Sequence, residues 1–211
     1  MTCIAPSIVL PPNLAGKAGV FAERKIAEEF LTHLGRRSFF PASTRDFSDI
    51  SVGFGNSLLY AAYLKGNHPT LSAAQLINLS DNALMKIPDL ATFDVGRSEF
   101  YEIKPDSLSG ISDGNTKVAN VHALYQHEAL PYIPGRLWNP DTKIHLLTFK
   151  PIGFTVDVEF HYFKRQPGLI LYDFCATGRM RKLTATEVAF IIAAVLIKLM
   201  TGPLVPVPVI A

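Results

Sequence analysis

Apolar residues recur every three to four positions over residues 19–34, where Val20, Ala27, Phe30, Leu31 and Leu34 share one stripe and Gly35 follows. That period predicts an amphipathic helix closed by a glycine. Residues 36–55 mix polar, glycine and serine positions and predict no element, whereas 56–65 and 71–80 read as short helices. The period then falls to two. Residues 86–95 and 98–104 read as strands joined at Val95-Gly96-Arg97, a tight hairpin. After Pro105 the helical period returns over about 113–128, with Val118, Val121, Leu124 and Tyr125 on one side and Ser112 placed as its N-cap.

Three strands are predicted next, at 143–149, 154–164 and 168–175, the last two joined around Arg165-Gln166-Pro167-Gly168. Val156, Val158, Phe160 and Tyr162 alternate with Thr155, Asp157, Glu159 and His161, as a sheet with one wet face requires. Thr184-x-x-Glu187 forms a capping box before residues 185–200, which are apolar nearly all round. Sixteen residues fall short of the roughly 20 that span a bilayer. Burial in the core or against a partner is therefore expected, with no stable membrane span. The following Pro/Val-rich stretch, 202–209, is expected to run extended.

Composition changes this picture little. With 211 residues, 48% hydrophobic and 18% charged, the chain can bury a sizeable core and is not disordered. The net charge of +2 does not advertise nucleic-acid binding. Arg136, Lys143, Lys150, Lys164, Arg165, Arg179, Arg181 and Lys182 suit either a local basic surface or an ordinary solvated face. Cys3 and Cys175 have no zinc or disulfide-framework spacing and read as reduced thiols. The opening residues lack the basic region of a secretory signal.

Chemistry concentrates in the hairpin. Pro88-Asp89 opens one strand and Glu102-Ile103-Lys104 ends the other. Alternation sets Glu102 and Lys104 on one face and turns Ile103 to the opposite layer. A Val95-Gly96 loop puts Asp89 across from Glu102, and a Gly96-Arg97 loop puts it across from Lys104. Either way Asp89 shares their face. A three-residue loop would bring Asp94 to that face but leave it roughly 13 Å along the strand. Two converging carboxylates repel unless a cation lies between them, and hard oxygen ligands select Mg²⁺ or Mn²⁺. The carbonyl of Ile103 can add a further oxygen. Lys104 can polarise water or stabilise charge on a phosphate. Glu23 falls on the apolar stripe of the first helix, where an acid needs a partner or a nearby metal.

Pro88-Asp89, then Glu102-Ile103-Lys104, then a helix, resembles the PD-(D/E)XK nuclease superfamily, and Gly19-x-x-x-Glu23 is similar to its first core helix. Tyr101 to Pro105 followed by Gly114-x-x-Lys117 and Tyr125 resembles restriction-endonuclease-fold toxin domains of bacterial polymorphic and secreted effectors. The resemblance implies an α/β fold: a restriction-endonuclease-like core with a central mixed β-sheet flanked by helices. The hydrophobic pattern adds an extra C-terminal β-hairpin and apolar helix to that core. The whole would be a single nuclease domain over 1–211, core about 19–150 and extension about 151–211. It implies Asp89 and Glu102 as ligands of Mg²⁺ or Mn²⁺, Lys104 as catalytic lysine, Glu23 as accessory acid, and Lys117 and Tyr125 as substrate contacts.

The activity so implied is phosphodiester hydrolysis, on DNA sooner than RNA, by an antibacterial effector. Such a protein would act in the cytoplasm, leave its producer through a specialised secretion machine, and require an immunity-type inhibitor. The competing expectation is a non-catalytic interaction or membrane-active protein working through residues 185–200. His122 and His127, five apart, do not share a helix face, and neither Ser109 nor Ser112 has the context of a serine nucleophile.

Overall fold

The computed structural model describes residues 1–34, 38–41, 53–80, 86–94, 98–149, 155–179 and 183–201. The Val95-Gly96-Arg97 turn, Gly35, Lys150, Arg181, Lys182 and the 202–209 stretch lie outside the described residues. In chain order the elements are β1 (Thr2–Ile4), α1 (Pro6–Val9), α2 (Pro12–Leu34), β2 (Ser38–Pro41), α3 (Gly53–Asn67), α4 (Ala73–Ser80) and β3 (Leu90–Phe93). There follow β4 (Ser98–Pro105), α5 (Leu108–His127), β5 (Tyr132–Pro134), β6 (Asp141–Phe149), β7 (Val156–Gln166), β8 (Leu169–Gly178) and α6 (Ala185–Thr201).

The strands form one curled mixed sheet in the order β2-β3-β4-β8-β7-β6. β4 changes neighbour along its length. Its first residues, Ser98 to Phe100, pair in parallel with β5, and Glu102 to Pro105 pair in parallel with β8. β8 in turn takes β1 beside its later residues and β7 along its other edge. The alternating pattern of β7 is realised as alternating burial, and Gly168 turns the chain into β8 with φ +75°, a value glycine accepts without strain.

Helices cover both faces. One apolar cluster joins α2 and α6 to Tyr101, Ile103 and the inward residues of β7 and β8. The other joins α3, α4 and α5 to Ala91, Phe100 and Tyr132. The opening of α6 carries the expected capping box: the Glu187 N–H donates to Thr184 Oγ1 at 3.3 Å, and the Glu187 carboxylate accepts from the Thr184 N–H at 2.8 Å. Only one face of α6 is buried, through Val188, Ile192, Val195 and Leu196, while Phe190 is 64% exposed. Among the described residues no helix is long and apolar enough to cross a membrane.

Three expectations change. Strand β3 begins at Leu90 rather than 86, since Pro88 has no N–H to give a ladder and the Asp89 side chain takes over the pairing. The helix after Pro105 begins at Leu108, and its N-cap is Ser107, whose Oγ accepts from the Gly110 N–H at 3.0 Å, not Ser112. Gly110 permits this: a Cβ there would lie 2.2 Å from the Pro105 carbonyl oxygen. Cys3 and Cys175 are not free thiols but a disulfide, because the antiparallel register of β1 and β8 sets them directly opposite each other. Among the described residues, acids interleave with some of the basic side chains of the C-terminal half, as on an ordinary solvated face: Arg179 pairs with Asp157 at 3.0 Å, and Lys143 lies on the same face as Asp141 and Glu159.

Candidate functional site

Strand β4 is buried on both faces along most of its length, so its charged residues can exist only with partners. On one face Glu99 is satisfied structurally. It accepts from the backbone N–H groups of Arg136 and Leu137 and from the Tyr101 hydroxyl, at 3.0, 3.2 and 2.8 Å. On the other face Glu102 and Lys104 come together with Asp89 and Lys117 in a compact group of two carboxylates and two ammonium groups.

The β3–β4 register, Leu90 opposite Tyr101 and Thr92 opposite Glu99, extends to Asp89 opposite Glu102. This is the register a Val95-Gly96 loop requires. Asp89 Oδ2 accepts the Ile103 N–H at 2.7 Å, continuing the ladder one residue beyond the last strand pair with a side chain in place of a carbonyl. Its other oxygen faces Lys117 Nζ at 3.5 Å. Lys117 also donates to Glu102 Oε1 at 2.8 Å, so one ammonium bridges both acids. Lys104 bonds the same Glu102 oxygen, approaches Asp89 Oδ2 at 4.0 Å and reaches the Ile103 carbonyl at 3.3 Å. The carbonyl expected as a ligand therefore lies beside the lysine.

Lys117 reaches this position because Gly114, one turn earlier on α5, lets the helix approach the sheet. A Cβ on Gly114 would fall 2.5 Å from a Leu169 methyl and 3.2 Å from Lys104 Cγ. Helix α2 contributes Glu23 from the other layer. Burial pushes the Tyr172 hydroxyl up and the Glu23 charge adds to that rise; on Lys104 burial acts downward, and Asp89, Glu102 and last Glu23 hold the ammonium up. Tyr172 of β8, next to Pro105 in the ladder, was not singled out from the sequence. A tyrosine in a strand buried on both faces carries no signal that separates a core residue from a site residue.

Burial and charge divide the two acids. Burial pushes the Glu102 carboxyl up to about 7, with Asp89 adding to the rise and Lys117 and Lys104 opposing it. Burial also acts upward on Asp89, but Lys117, Lys104 and the Ile103 N–H together hold it below the usual carboxylate range. Glu102 Oε2 is buried with no hydrogen-bond partner among the described residues. A desolvated oxygen lacking a donor, beside a second carboxylate already bridged by a cation, fits a divalent cation bound through Asp89 and Glu102.

Tyr125 does not join the group. It is fully buried, bonded to Tyr60 and packed on Phe100 and Tyr132 in the second apolar cluster. Eight residues of helix separate it from Lys117, about 12 Å along the axis. Comparison with protein-family models, with curated proteins and with solved structures finds no match.

Proposed function

We propose that this chain is a metal-dependent phosphodiesterase of the PD-(D/E)XK type, with a restriction-endonuclease-like core spanning β2 to β5 and its flanking helices. The observation that carries the reading is the convergence of Asp89 and Glu102 on the Lys117 ammonium, with Lys104 bonded to the second acid. The order of elements supports it: a helix bearing Glu23, a hairpin bearing Pro88-Asp89 and Glu102-Ile103-Lys104, then a helix returning to a parallel strand.

Asp89 and Glu102 would hold Mg²⁺ or Mn²⁺, which supplies charge neutralisation for a phosphate and activates water. The residues do the rest. Lys104, the most exposed of the four at 25%, faces an incoming phosphate and stabilises the negative charge that builds on it. The Ile103 N–H fixes one oxygen of Asp89, leaving the other for the cation. Lys117 bridges the two acids, and with a cation held by them its ammonium would be available to a backbone phosphate. Glu23 positions Lys104 through its charge.

DNA is the substrate that the resemblance favours, and action on it in a target cell's cytoplasm, with an inhibitor protecting the producer, is part of the same proposal. Plasmid nicking with Mg²⁺, with and without EDTA, tests the reaction, and parallel incubation with labelled tRNA and duplex DNA tests the substrate. Cleavage undiminished in a Glu102→Ala, Lys104→Ala double variant would sink the assignment.

A further inference from the structure

The outer face of β7 and β8 carries a second group of ligand-type side chains, away from the carboxylate pair. Antiparallel pairing sets Cys3 opposite Cys175 and His161 opposite Asp173. Two neighbouring rows of one sheet face thus present two sulphurs, a carboxylate and an imidazole. The sulphurs and one Asp173 oxygen lie within 4.8 Å of one another. His161 Nδ1 is 3.4 Å from Asp173 Oδ1, and its Nε2 is 3.1 Å from Asp141 Oδ1. A carboxylate on the far nitrogen is the arrangement that orients a metal-ligating imidazole. A pocket of about 360 Å³ lined by Asn139, Pro140, Asp141, His161, Phe163 and Lys164 adjoins the His161–Asp141 pair. Cys3 is exposed, whereas Asp173 and Cys175 are buried.

We propose that Cys3, Cys175, Asp173 and His161 form a redox-gated Zn²⁺ site, closed while the disulfide stands and opened by a dithiol reductant. A thiolate of the reductant attacks Cys3 Sγ, breaking the bond to Cys175, which leaves as thiolate and takes up a proton. The second thiol of the reductant displaces Cys3 from the mixed disulfide. The reductant departs oxidised, and its two electrons remain on two protein thiols. Zinc then replaces the thiol protons, and two soft thiolates with a borderline imidazole, beside one hard carboxylate, select Zn²⁺ over Mg²⁺. One cross-link between β1 and β8 is exchanged for another. The N-terminal strand therefore stays fastened to the sheet in oxidising and in reducing surroundings alike.

The test uses the full chain carrying Glu102→Gln, which weakens metal binding at the carboxylate pair, reduced anaerobically with a phosphine. Titration with Co²⁺ is expected to give thiolate-to-cobalt charge-transfer absorption in the reduced chain and none in the oxidised one. Zn²⁺ should abolish that absorption by competition and raise the thermal midpoint of the reduced chain alone. Asp141→Asn should weaken zinc about 10–100-fold while keeping the charge-transfer band. The proposal is overturned by absence of that band, by zinc stabilisation that survives Cys3→Ser with Cys175→Ser, or by a reduced chain that unfolds and is not refolded by zinc.

Discussion

Two groups of opposite charges in this molecule use the same chemistry in different surroundings. On the face of β4, Asp89, Glu102, Lys104 and Lys117 form a buried quartet in which Glu102 is 1% exposed and one of its oxygens has no hydrogen-bond donor among the described residues. On the outer face of β6 and β7, Asp157 accepts from Thr148 at 2.6 Å and from Arg179 at 3.0 Å, with Arg179 67% exposed. Asp157 is held below the usual carboxylate range by those two hydrogen bonds, Thr148 first. In the quartet, burial outweighs the nearby lysines and pushes Glu102 the other way. A carboxylate kept against its own solvation is a poor stabiliser of the fold and a good ligand for a cation.

The largest expected effect separates the two groups by activity. If the quartet is catalytic, Glu102→Gln or Lys104→Met should lower Mg²⁺-dependent DNA cleavage by about 10²–10³-fold or more, in the range found when one charge-stabilising group is removed. Asp157→Asn should leave it unchanged. A plasmid-nicking time course at saturating Mg²⁺ reads both, and equal losses would erase the distinction.

Lys117→Met comes next, and its effect is on stability. Removing the ammonium that bridges Asp89 and Glu102 leaves two buried acids facing each other, so the metal-free protein should lose about 3 kcal/mol in urea denaturation. Mg²⁺ should restore more stability to this variant than to the wild type, because it no longer has a lysine to displace. A variant as stable as wild type, with unchanged Mg²⁺ response, would remove Lys117 from the site.

Glu102→Gln sharpens the same contrast with the opposite sign. The folded-state value of Glu102 stands at about 7 against an ordinary 4.5, so its ionisation opposes folding: stability declines as pH rises from about 4 toward 7. Asp89 is depressed, so its contribution is present above the ordinary carboxylate value and is lost as pH falls through its folded value. Above pH 7 the neutral glutamine should therefore stabilise the metal-free chain by about 1–3 kcal/mol while removing stabilisation by Mg²⁺. Denaturation at pH 5 and pH 8 measures this. A Glu102→Gln chain less stable than wild type at pH 8 would mean that ion pairing outweighs burial.

What the sequence made legible follows from the range of each signal. Asp89, Glu102 and Lys104 were readable because strand parity is local, and a hairpin register is fixed within fifteen residues. Lys117 was legible only as a candidate substrate contact and not as the bridge between two acids, since helix phase does not say which side of a sheet the helix will cover. Tyr125 lies on the apolar stripe of its helix, and that stripe serves core and site equally; the structure places it in the core. The disulfide was unreadable for a different reason. Its cysteines are 172 residues apart, and β1 is three residues long, too short for periodicity to declare it a strand or name its partner. The parallel neighbours of β4 depend on crossovers through α5 and β7, which tertiary packing decides.

The smallest effect is the one that tests whether burial itself makes the difference. Asp157 and Glu102 both accept charged hydrogen bonds from two donors or more, yet water reaches Asp157 and its partners. Screening by solvent makes such a surface pair worth little, so Asp157→Asn should leave the denaturation midpoint within experimental error at pH 7, in low and high salt alike. A marked loss would show that the outer face is held together by its ion pairs. The contrast between the two groups would then rest on the number of partners and not on water, and the raised pKa of Glu102 would cease to distinguish a candidate site from an ordinary network.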